Sequence, residues 1–406
     1  MLSDNDRYAF VPGAPAFFPT IVGAQGCHLV TADGRRILDG AAGAIVGNIG
    51  WGRAEVAEAA ASVMANGYVL PLWATPSRLA LVHELVTHWL PAGFGHMFFT
   101  SGGSESTDSA LRLARAYQLG KGRPQRWKVI GRHPSYHGMT TGAMAVASHL
   151  GRQKGYEPLL LPFPKVPWDD PEQVLRIVAQ EDPATIAGFM VEPITGAAGA
   201  CLSASDGYWR VVSELCRKHD ILLMADEVMT GYGRTGLKFG HQHFPLQPDV
   251  IVGGKGLGGG YVPLGAVAAR DEVAEALRGS NFMFFTFTGN DAACAAGAKV
   301  LEILRREQLV ERVASQGPQL EAKLRAACGD HPAVRDIRGR GFFYGLELSV
   351  SRDAVVAAAL ERDLWVYPAG SGPVPEAVMV APPFTISDQE MDQLAATLRQ
   401  ALDAVA

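Results

Sequence analysis

Between about residue 97 and residue 269 the chain alternates short apolar runs with amphipathic stretches. The apolar runs are continuous, which is typical of strands that are covered on both faces of a sheet. Amphipathic segments between them, such as residues 110–117, predict helices that pack on those faces. The pattern therefore predicts an α/β fold with a mostly parallel sheet, whose strands are residues 97–100, 128–130, 187–191, 221–225 and 250–252.

Each predicted strand is followed by residues that could take part in chemistry. Ligands of open α/β sheets bind beyond the carboxyl ends of the strands, so residues at these positions are expected to lie close together. One strand followed by such residues would carry little weight, whereas five successive strands with this feature predict a single shared site. These residues are Ser101-Gly102-Gly103-Ser104-Glu105, Tyr136-His137-Gly138, Glu192-Pro193, Asp226-Glu227 and Lys255.

The segments on either side of this block have a different pattern and predict a second, smaller domain. A short strand is predicted at residues 27–30, and a long helix at residues 292–307 follows the block. Strands around residues 341–348 and 378–380 and a terminal helix complete the chain. The expected division is a large α/β domain at residues 50–289 and a small domain built from residues 1–49 together with residues 290–406.

Composition and charge argue against several classes of protein. A chain of 406 residues with 48% hydrophobic residues can bury a large core. The net charge of −5 and the lack of a basic stripe argue against nucleic acid as a partner, and no uncharged apolar run is long enough to span a bilayer. The five cysteines are widely spaced without a C-x-x-C pair, and the first residues show no signal peptide. Reduced thiols and a cytoplasmic location are therefore expected.

Lys255 is the residue with the clearest chemical potential. It follows the fifth apolar run, and six glycines lie among the eight residues 253–260. An amine at the edge of an apolar site has its charged form disfavoured and can act as a nucleophile. A phosphate-binding P-loop is excluded, because Asp249 and Gly256 stand where that motif needs glycine and Ser or Thr. A dinucleotide-binding fingerprint is disfavoured, because the glycines lead to Pro263 and a further predicted strand instead of a helix.

The other strand ends suit a ligand that is an aromatic aldehyde carrying a phosphate group. Asp226 leaves a buried strand, where a carboxylate needs a cation such as a protonated pyridine nitrogen; the alternative is an ordinary helix N-cap. Residues 101–104 open a helix and offer backbone N–H groups to a phosphate, although they could also form a simple capping turn. Tyr136 could stack on the ligand's ring or merely pack, and His137 is expected to have a minor role.

One further segment raises the question of a metal site. His241 and His243 are close in sequence, but no Cys, Asp or Glu beside them completes a ligand set. The segment is therefore predicted to be a solvated surface loop, and no metal is expected.

Over nearly its full length the chain resembles the class III aminotransferases, which are pyridoxal-phosphate enzymes of fold type I. The long segment 226–236, followed at the right distance by Lys255, makes the resemblance specific, whereas the short glycine-rich pieces alone would be weak. The matching segments are Ser101-Gly102-Gly103-Ser104-Glu105, Tyr136-His137-Gly138, Glu192-Pro193, Asp226-Glu227-Val228-Met229-Thr230-Gly231-Tyr232-Gly233-Arg234-Thr235-Gly236, Lys255-Gly256-Leu257-Gly258-Gly259-Gly260, Thr286-Phe287-Thr288-Gly289-Asn290 and Arg338-Gly339-Arg340-Gly341.

The resemblance implies a large α/β domain with a mostly parallel seven-stranded sheet between helices, plus a smaller α+β domain. It implies pyridoxal 5'-phosphate as the cofactor, Lys255 as the residue that binds it covalently and Asp226 as the partner of its pyridine nitrogen. It also implies a homodimer in which Thr286 of one subunit reaches the cofactor phosphate of the other. The remaining implied contacts are Tyr136 and Val228 on the two faces of the ring, Ser101, Gly102 and Gly103 at the phosphate, and Glu192 and His137 beside the ring.

The implied reaction moves an amino group from a donor to a keto acid in two half-reactions, with ping-pong kinetics. Lys255, once freed, would be the general base beside the substrate carbon. An aminomutase or a dialkylglycine-type decarboxylase would use the same residues, so both stay open as alternatives. A regulator that binds the cofactor without catalysis would need a partner module, and no helix-turn-helix pattern is predicted.

The expected substrate follows from two positions at which the chain departs from ornithine- and 4-aminobutyrate-type members of the family. Those members carry a glutamate and an arginine that form a gate for carboxylates, and the matching positions here are Ala197 and Met379. The apolar pair predicts an amine or ω-amino donor with an apolar body, and pyruvate as the acceptor. A 2-oxoglutarate-dependent ω-amino acid aminotransferase remains the alternative. Aromatic residues that could line the entrance are Phe17, Phe18, Trp51, Trp73, Phe284 and Phe285.

Overall fold

The computed structural model describes residues 18–67, 73–278 and 285–406. The strands are β1 (Ile21–Gln25), β2 (His28–Thr31), β3 (Arg36–Asp39), β4 (His96–Thr100), β5 (Lys128–His133), β6 (Lys165–Pro167), β7 (Ile186–Val191), β8 (Ile194–Thr195), β9 (Leu202–Ser203), β10 (Leu222–Asp226), β11 (Val250–Gly253), β12 (Gly265–Ala269), β13 (Val334–Arg340), β14 (Phe343–Leu348), β15 (Leu364–Trp365), β16 (Tyr367–Ser371) and β17 (Val374–Val380). The helices are α1 (Ala42–Ile45), α2 (Ala54–Met64), α3 (Pro76–Glu84), α4 (Gly103–Gly120), α5 (Thr141–Val146), α6 (Leu150–Gln153), α7 (Pro171–Gln180), α8 (Asp206–His219), α9 (Asp271–Glu275), α10 (Asp291–Arg306), α11 (Leu309–Cys328), α12 (Arg352–Glu361) and α13 (Asp388–Asp403).

A seven-stranded sheet with the order β4-β12-β11-β10-β7-β5-β6 forms the centre of the fold. Strand β10 pairs in parallel with both β7 and β11, while β12 runs antiparallel to its two neighbours. Every residue of β7, β10 and β12 is buried, because helices cover both faces of the sheet. The α/β prediction with a mostly parallel sheet is therefore confirmed, and the predicted strands lie within one to three residues of the observed ones.

Helix α8 shows how one face of the sheet is covered. It is amphipathic, and its inward residues Tyr208, Trp209 and Val212 are fully buried. They pack in one apolar cluster with Phe189 of β7 and Leu223 of β10. The side chain of Ser205 accepts a hydrogen bond from the Tyr208 amide at the start of this helix, which satisfies one of its free N–H groups.

Two smaller four-stranded sheets are built from the chain's outer segments. In one of them β15 pairs in parallel with β3, so that Leu364 lies opposite Leu38. The other is antiparallel, with the order β13-β14-β17-β16. The first sheet therefore joins strands from both ends of the chain. The division at residues 49/50 and 289/290 stays a prediction.

Arg234 fastens the segment after β10 to residues from both outer parts of the chain. Its guanidinium is fully buried and donates to the carbonyl oxygens of Phe342 (3.1 Å) and Pro382 (2.6 Å) and to Asn48 Oδ1 (2.7 Å). The same group stacks over the ring of Phe384 at 4.5 Å. These charge-assisted contacts hold the loop that begins at the end of β10, and that loop contributes to the site described below.

Two expectations from composition can be compared with the fold. All five cysteines are buried and unpaired, as the prediction of reduced thiols requires. Within the described ranges no helix has the length and apolar character needed to cross a membrane.

Candidate active site

The carboxyl ends of five strands of the central sheet meet at one cavity of about 170 Å³. Residues that follow β4, β5, β7, β10 and β11 all contribute to its wall, as expected from the positions of the polar and glycine-rich segments. The lining residues are Gly103, Ser104, Tyr136, His137, Gly138, Glu192, Ile194, Asp226, Val228, Met229, Thr230 and Lys255.

Lys255 contributes an amine to the wall of the cavity. It directly follows β11 and Gly254, and its backbone has φ +43°, a left-handed conformation that is uncommon for a residue with a side chain. Burial lowers the pKa of its ammonium group, and the charge of Arg152 lowers this pKa further, while Asp226 and Glu192 act in the opposite direction. An amine whose pKa is lowered is more often in the neutral, nucleophilic form.

Asp226 and His137 form a buried pair at the cavity. Asp226 Oδ2 lies 2.7 Å from His137 Nδ1, and Asp226 Oδ1 accepts a hydrogen bond of 3.0 Å from the Val228 amide. His137 Nε2 is buried and has no hydrogen-bond partner among the described residues. Both oxygens of the carboxylate are thus held in place, which keeps it oriented toward the cavity. His137, for which the sequence predicts only a minor role, is the direct hydrogen-bond partner of this carboxylate.

Glu192 orients the backbone beside the cavity. Its Oε1 accepts a hydrogen bond from the Tyr136 amide (2.9 Å) and its Oε2 accepts one from the Gly196 amide (3.0 Å). Burial raises the pKa of the carboxyl group, and the charge of His137 partly opposes this effect. Glu192 therefore acts on the position of Tyr136 through the main chain.

The loop between β4 and α4 brings free backbone amides to the same cavity. Helix α4 begins at Gly103, and its N-cap residue Gly102 has no side chain that could accept from the first turn. A Cβ atom on Gly103 would lie 2.9 Å from Val228 Cγ1, so glycine is needed for this close approach. Ser101 is tied to the first turn by a hydrogen bond of 2.8 Å from its amide to Glu105 Oε2. The N-terminus of this 18-residue helix has no side-chain cap at its N-cap residue, and such a helix start suits an anion.

Two residues predicted to select the substrate lie together in the interior. Ala197 and Met379 are buried, and both belong to an apolar cluster that also contains Ile194 and Met229. Ile194 and Met229 line the cavity, and Tyr136 packs against the same cluster. Ala197 and Met379 therefore lie behind the cavity wall.

Among the described residues, the predicted substrate contacts Trp51 and Trp73 and the predicted phosphate contact Thr286 do not line the cavity of this chain. Trp73 is 67% exposed, and Trp51 donates from Nε1 to Asp39 Oδ2 at 2.7 Å. Thr286 is exposed in the turn that precedes α10. Phe17 and Phe284 lie outside the described residues.

The prediction that residues 241–243 form a solvated loop is wrong for His241. This side chain is buried, and its Nδ1 lies 2.8 Å from Glu227 Oε1. Glu227 also accepts hydrogen bonds from the backbone amides of Gly240 (2.8 Å) and His241 (2.7 Å). The histidine is a structural partner of the carboxylate next to Asp226, and this pairing across the loop could not be found from local spacing.

Comparison with known proteins shows the family to which this chain belongs. Residues 10–402 match the family model for class III aminotransferases. The chain is 34% identical to the uncharacterised aminotransferase YhxA of Bacillus subtilis, over 94% of this chain and 91% of that protein. It is 32% identical to a putrescine–pyruvate aminotransferase of Pseudomonas aeruginosa (95% and 91% covered) and to a diaminobutyrate–2-oxoglutarate transaminase of Halomonas elongata (95% and 90% covered).

Solved structures agree with the sequence relatives. A Bacillus anthracis aminotransferase superposes with a TM-score of 0.93 at 34% identity, covering 99% of this chain and 97% of that one. An ω-transaminase of Pseudomonas jessenii, solved with pyridoxamine phosphate (PMP), superposes with a TM-score of 0.91 at 27% identity, covering 100% and 98%. With its fold type I architecture and its match to the family model over nearly the whole length, the chain belongs to the class III aminotransferases, which depend on pyridoxal phosphate.

Proposed function

We propose that this aminotransferase moves an amino group from an amine or ω-amino donor with an apolar body to pyruvate, with Lys255 as the residue that binds the cofactor. The observation that carries the proposal is the meeting of the Lys255 amine and the Asp226–His137 pair in one cavity. An amine with a lowered pKa and a buried, oriented carboxylate are the two groups that the chemistry needs.

The residues present fit pyridoxal phosphate. Asp226 is a buried carboxylate without an Arg or Lys partner among the described residues, and a protonated ring nitrogen would supply the missing cation. The uncapped amides at Gly103 and the next residue suit the phosphate, and Ser101 and Gly102 shape the loop that presents them. Tyr136 and Val228 both line the cavity and would hold the two faces of the ring.

The protein's part in the reaction consists of binding, orienting and proton transfer. When bound, pyridoxal phosphate supplies an aldehyde that takes up the substrate's amino group and a ring that withdraws electrons from the neighbouring carbon. Lys255 would act as the general base that accepts the proton released at the substrate carbon, and then as the general acid that gives this proton back. Asp226, held in place by His137, would keep the ring nitrogen protonated, and Glu192 fixes the main chain at Tyr136.

The substrate preference rests on the apolar wall of the cavity. Ile194 and Met229 line it, and Ala197 and Met379 fill the cluster behind them without any charge. A second carboxylate on the substrate, as in 2-oxoglutarate, would therefore find no arginine at these positions. The relative named for putrescine and pyruvate supports this preference, whereas the relative named for 2-oxoglutarate represents the alternative.

A panel of acceptors with an arylalkylamine donor tests the proposed function. We expect pyruvate to be used at least about 10-fold more efficiently than 2-oxoglutarate, because a buried carboxylate without a partner weakens binding in the transition state. The amine alone should be converted only once per active site. Repeated turnover without an acceptor would indicate an aminomutase, release of carbon dioxide a decarboxylase, and preference for 2-oxoglutarate with ornithine or 4-aminobutyrate would refute the substrate assignment.

We further propose a homodimer in which Thr286 contacts the cofactor phosphate of the partner subunit. Thr286 is exposed and does not line the cavity of its own chain, and neighbouring Phe287 is 57% exposed, as expected for residues that meet a second subunit. Sedimentation should give a dimer. A mixture of the inactive Lys255→Ala variant with a Thr286→Ala variant should recover part of the activity, and an active monomer would contradict the arrangement.

A further inference from the structure

Thr286 lies at the tip of a turn, residues 285–290, whose base is closed by hydrogen bonds. Thr286 is exposed, whereas Thr288 is buried. The Phe285 amide donates to Thr288 Oγ1 (3.2 Å), and the Thr288 amide donates to the carbonyl oxygen of Phe285 (3.0 Å). These contacts close the turn on itself but do not fix it relative to the rest of the chain. The side chain of Arg78 makes the contacts that do.

Arg78 of helix α3 joins this turn to the segment that precedes α3. Its Nε donates to the carbonyl oxygen of Gly289 (2.5 Å), and its Nη1 donates to that of Trp73 (2.6 Å). Gly289 has φ +59°, and a Cβ atom there would lie 2.8 Å from Arg78 Nε, so both the backbone conformation and the close approach of the guanidinium require glycine. One planar group thus holds two main-chain oxygens that are remote in sequence.

Asp291, the first residue of α10, balances the charge of Arg78. The side chains of Arg78 and Asp291 are only 11% and 5% exposed, and Arg78 Nη2 lies 3.9 Å from Asp291 Oδ2. Asp291 Oδ1 accepts a hydrogen bond from the hydroxyl of Thr75, the N-cap residue of α3. Asp291 Oδ2 is buried without a hydrogen-bond partner among the described residues, so the nearby guanidinium is needed to offset its charge. The pair therefore fixes the start of α10, and with it the turn, against the start of α3.

An exposed turn with a fixed base is suited to act on a second molecule. A loop that becomes ordered only on association loses conformational freedom, which weakens the contact it makes. A turn whose backbone is already held presents its side chains in one position and avoids this loss. Thr286 does not line the cavity of its own chain, and in the proposed homodimer its target is the cofactor phosphate of the partner subunit.

We propose that Arg78, held by Asp291, is a positioning residue for the active site of the partner subunit. It fixes the turn 285–290 so that the turn reaches the cofactor phosphate across the interface, with Thr286 at its tip. The inference rests on the proposed homodimer and adds to it a residue whose effect crosses the interface. A purely structural role of Arg78 would instead weaken its own chain, whether or not the cofactor carries a phosphate.

The first test follows the release of pyridoxal 5'-phosphate from the holoenzyme on dialysis, and repeats it after exchange of the cofactor for pyridoxal, which lacks the phosphate. In Arg78→Gln we expect the affinity for pyridoxal 5'-phosphate to fall about 10-fold, because the charge-assisted contacts that order the turn are lost, while the affinity for pyridoxal stays within about 3-fold of wild type. Arg78→Lys keeps the charge beside Asp291 but offers a single ammonium group to the two carbonyl oxygens, so it should show part of the loss. The same assay on Arg78→Lys decides the matter if Arg78→Gln does not fold.

Arg305→Gln is the matched control. Arg305 also joins α10 to α3, through Glu84 at 3.1 Å, but it lies near the far end of both helices and is largely exposed. Its loss should leave the release of both cofactor forms within about 3-fold of wild type, because an exposed ion pair contributes little.

The second test asks in which subunit Arg78 acts, and it uses heterodimers that contain one productive Lys255. When Arg78→Gln and Lys255→Ala lie in the same chain, the productive site of the wild-type partner receives the altered turn. We expect that site to bind pyridoxal 5'-phosphate about 10-fold more weakly, as followed by the absorbance of the cofactor at Lys255. When the two changes lie in different chains, the productive site receives an intact turn and should bind the cofactor as wild type does.

The proposal is overturned if Arg78→Gln weakens the binding of both cofactor forms by the same factor, if the loss appears in the chain that carries the change, or if the variant no longer sediments as a dimer. Thr286→Ala separates this inference from the proposed function. A loss specific to the phosphate form in Thr286→Ala but not in Arg78→Gln refutes the role of Arg78 alone, and no such loss in either variant refutes both. A loss in Arg78→Gln alone refutes the contact of Thr286 and leaves the turn as the part that Arg78 positions.

Discussion

Replacing Lys255 with alanine is expected to lower the turnover rate by at least about 10³-fold, because the variant loses the general base at the substrate carbon. The cavity is otherwise left intact, so the variant should fold and bind pyridoxal phosphate without a covalent bond. Borohydride should fix the cofactor to Lys255 in wild type, and mass spectrometry of the digested protein should find the reduced adduct on the peptide that contains this residue.

Lys165 provides an internal comparison for the adduct. Burial lowers its pKa to about 8, so it is also a chemically reactive lysine, but its Nζ donates to the carbonyl oxygens of Ala145 (2.7 Å) and Phe163 (2.8 Å). The Lys255 assignment predicts no adduct there. The exposed Lys218→Ala variant should keep full activity. An adduct on Lys165, or a Lys255→Ala variant with near-normal turnover, would show that the site has been misassigned.

Asp226→Asn is expected to keep the cofactor but to lose about 10²-fold or more in turnover. An amide has nearly the shape of the carboxylate, but it lacks the charge that holds the ring nitrogen protonated, so the electron-withdrawing state is lost. One hydrogen bond of Asp226 is preserved in the variant, because the backbone amide of Val228 can still donate to the side-chain oxygen of the asparagine. The measurement compares turnover with cofactor content, determined from absorbance after dialysis.

Asp206→Asn makes the same chemical change on the exposed surface of α8 and should leave both quantities unchanged. Thermal unfolding of both variants separates an effect on the reaction from an effect on folding. If Asp226→Asn retained its cofactor and worked at near the wild-type rate, the carboxylate would have another role in this cavity.

Local pattern was sufficient to find the strands that carry the site. The runs at residues 187–191 and 250–252 are apolar on both faces and lie within observed strands, and the second strand after the glycines is found at β12. The order of the strands and the antiparallel direction of β12 depend on contacts between distant segments. The hydrophobic pattern along the chain gives no information about these contacts. Helix α11 was not predicted, and its pattern is interrupted by Pro318 within the helix.

At the site, too, the residues that could not be predicted are those whose contacts join distant segments of the chain. Asp226 and Lys255 could be found because Asp226 ends one buried strand and Lys255 lies two residues after the end of another. His137 and His241 make their contacts with carboxylates that are remote in sequence, Asp226 and Glu227, and their neighbours along the chain give no sign of these contacts. Short helices such as α6 also have too few residues to show a periodic pattern.

The pairing of β3 with β15 has a consequence for how the protein is made. The amino-terminal strands leave the ribosome first, but the partner that completes their sheet is synthesised near the end of the chain. The central sheet and its cavity, built from residues 96–269, can assemble before that partner exists. Until then the outer edge of β3 exposes unpaired N–H and C=O groups to other chains. A messenger truncated before residue 364 would therefore yield a product with a near-complete catalytic core and a permanently open, aggregation-prone strand edge.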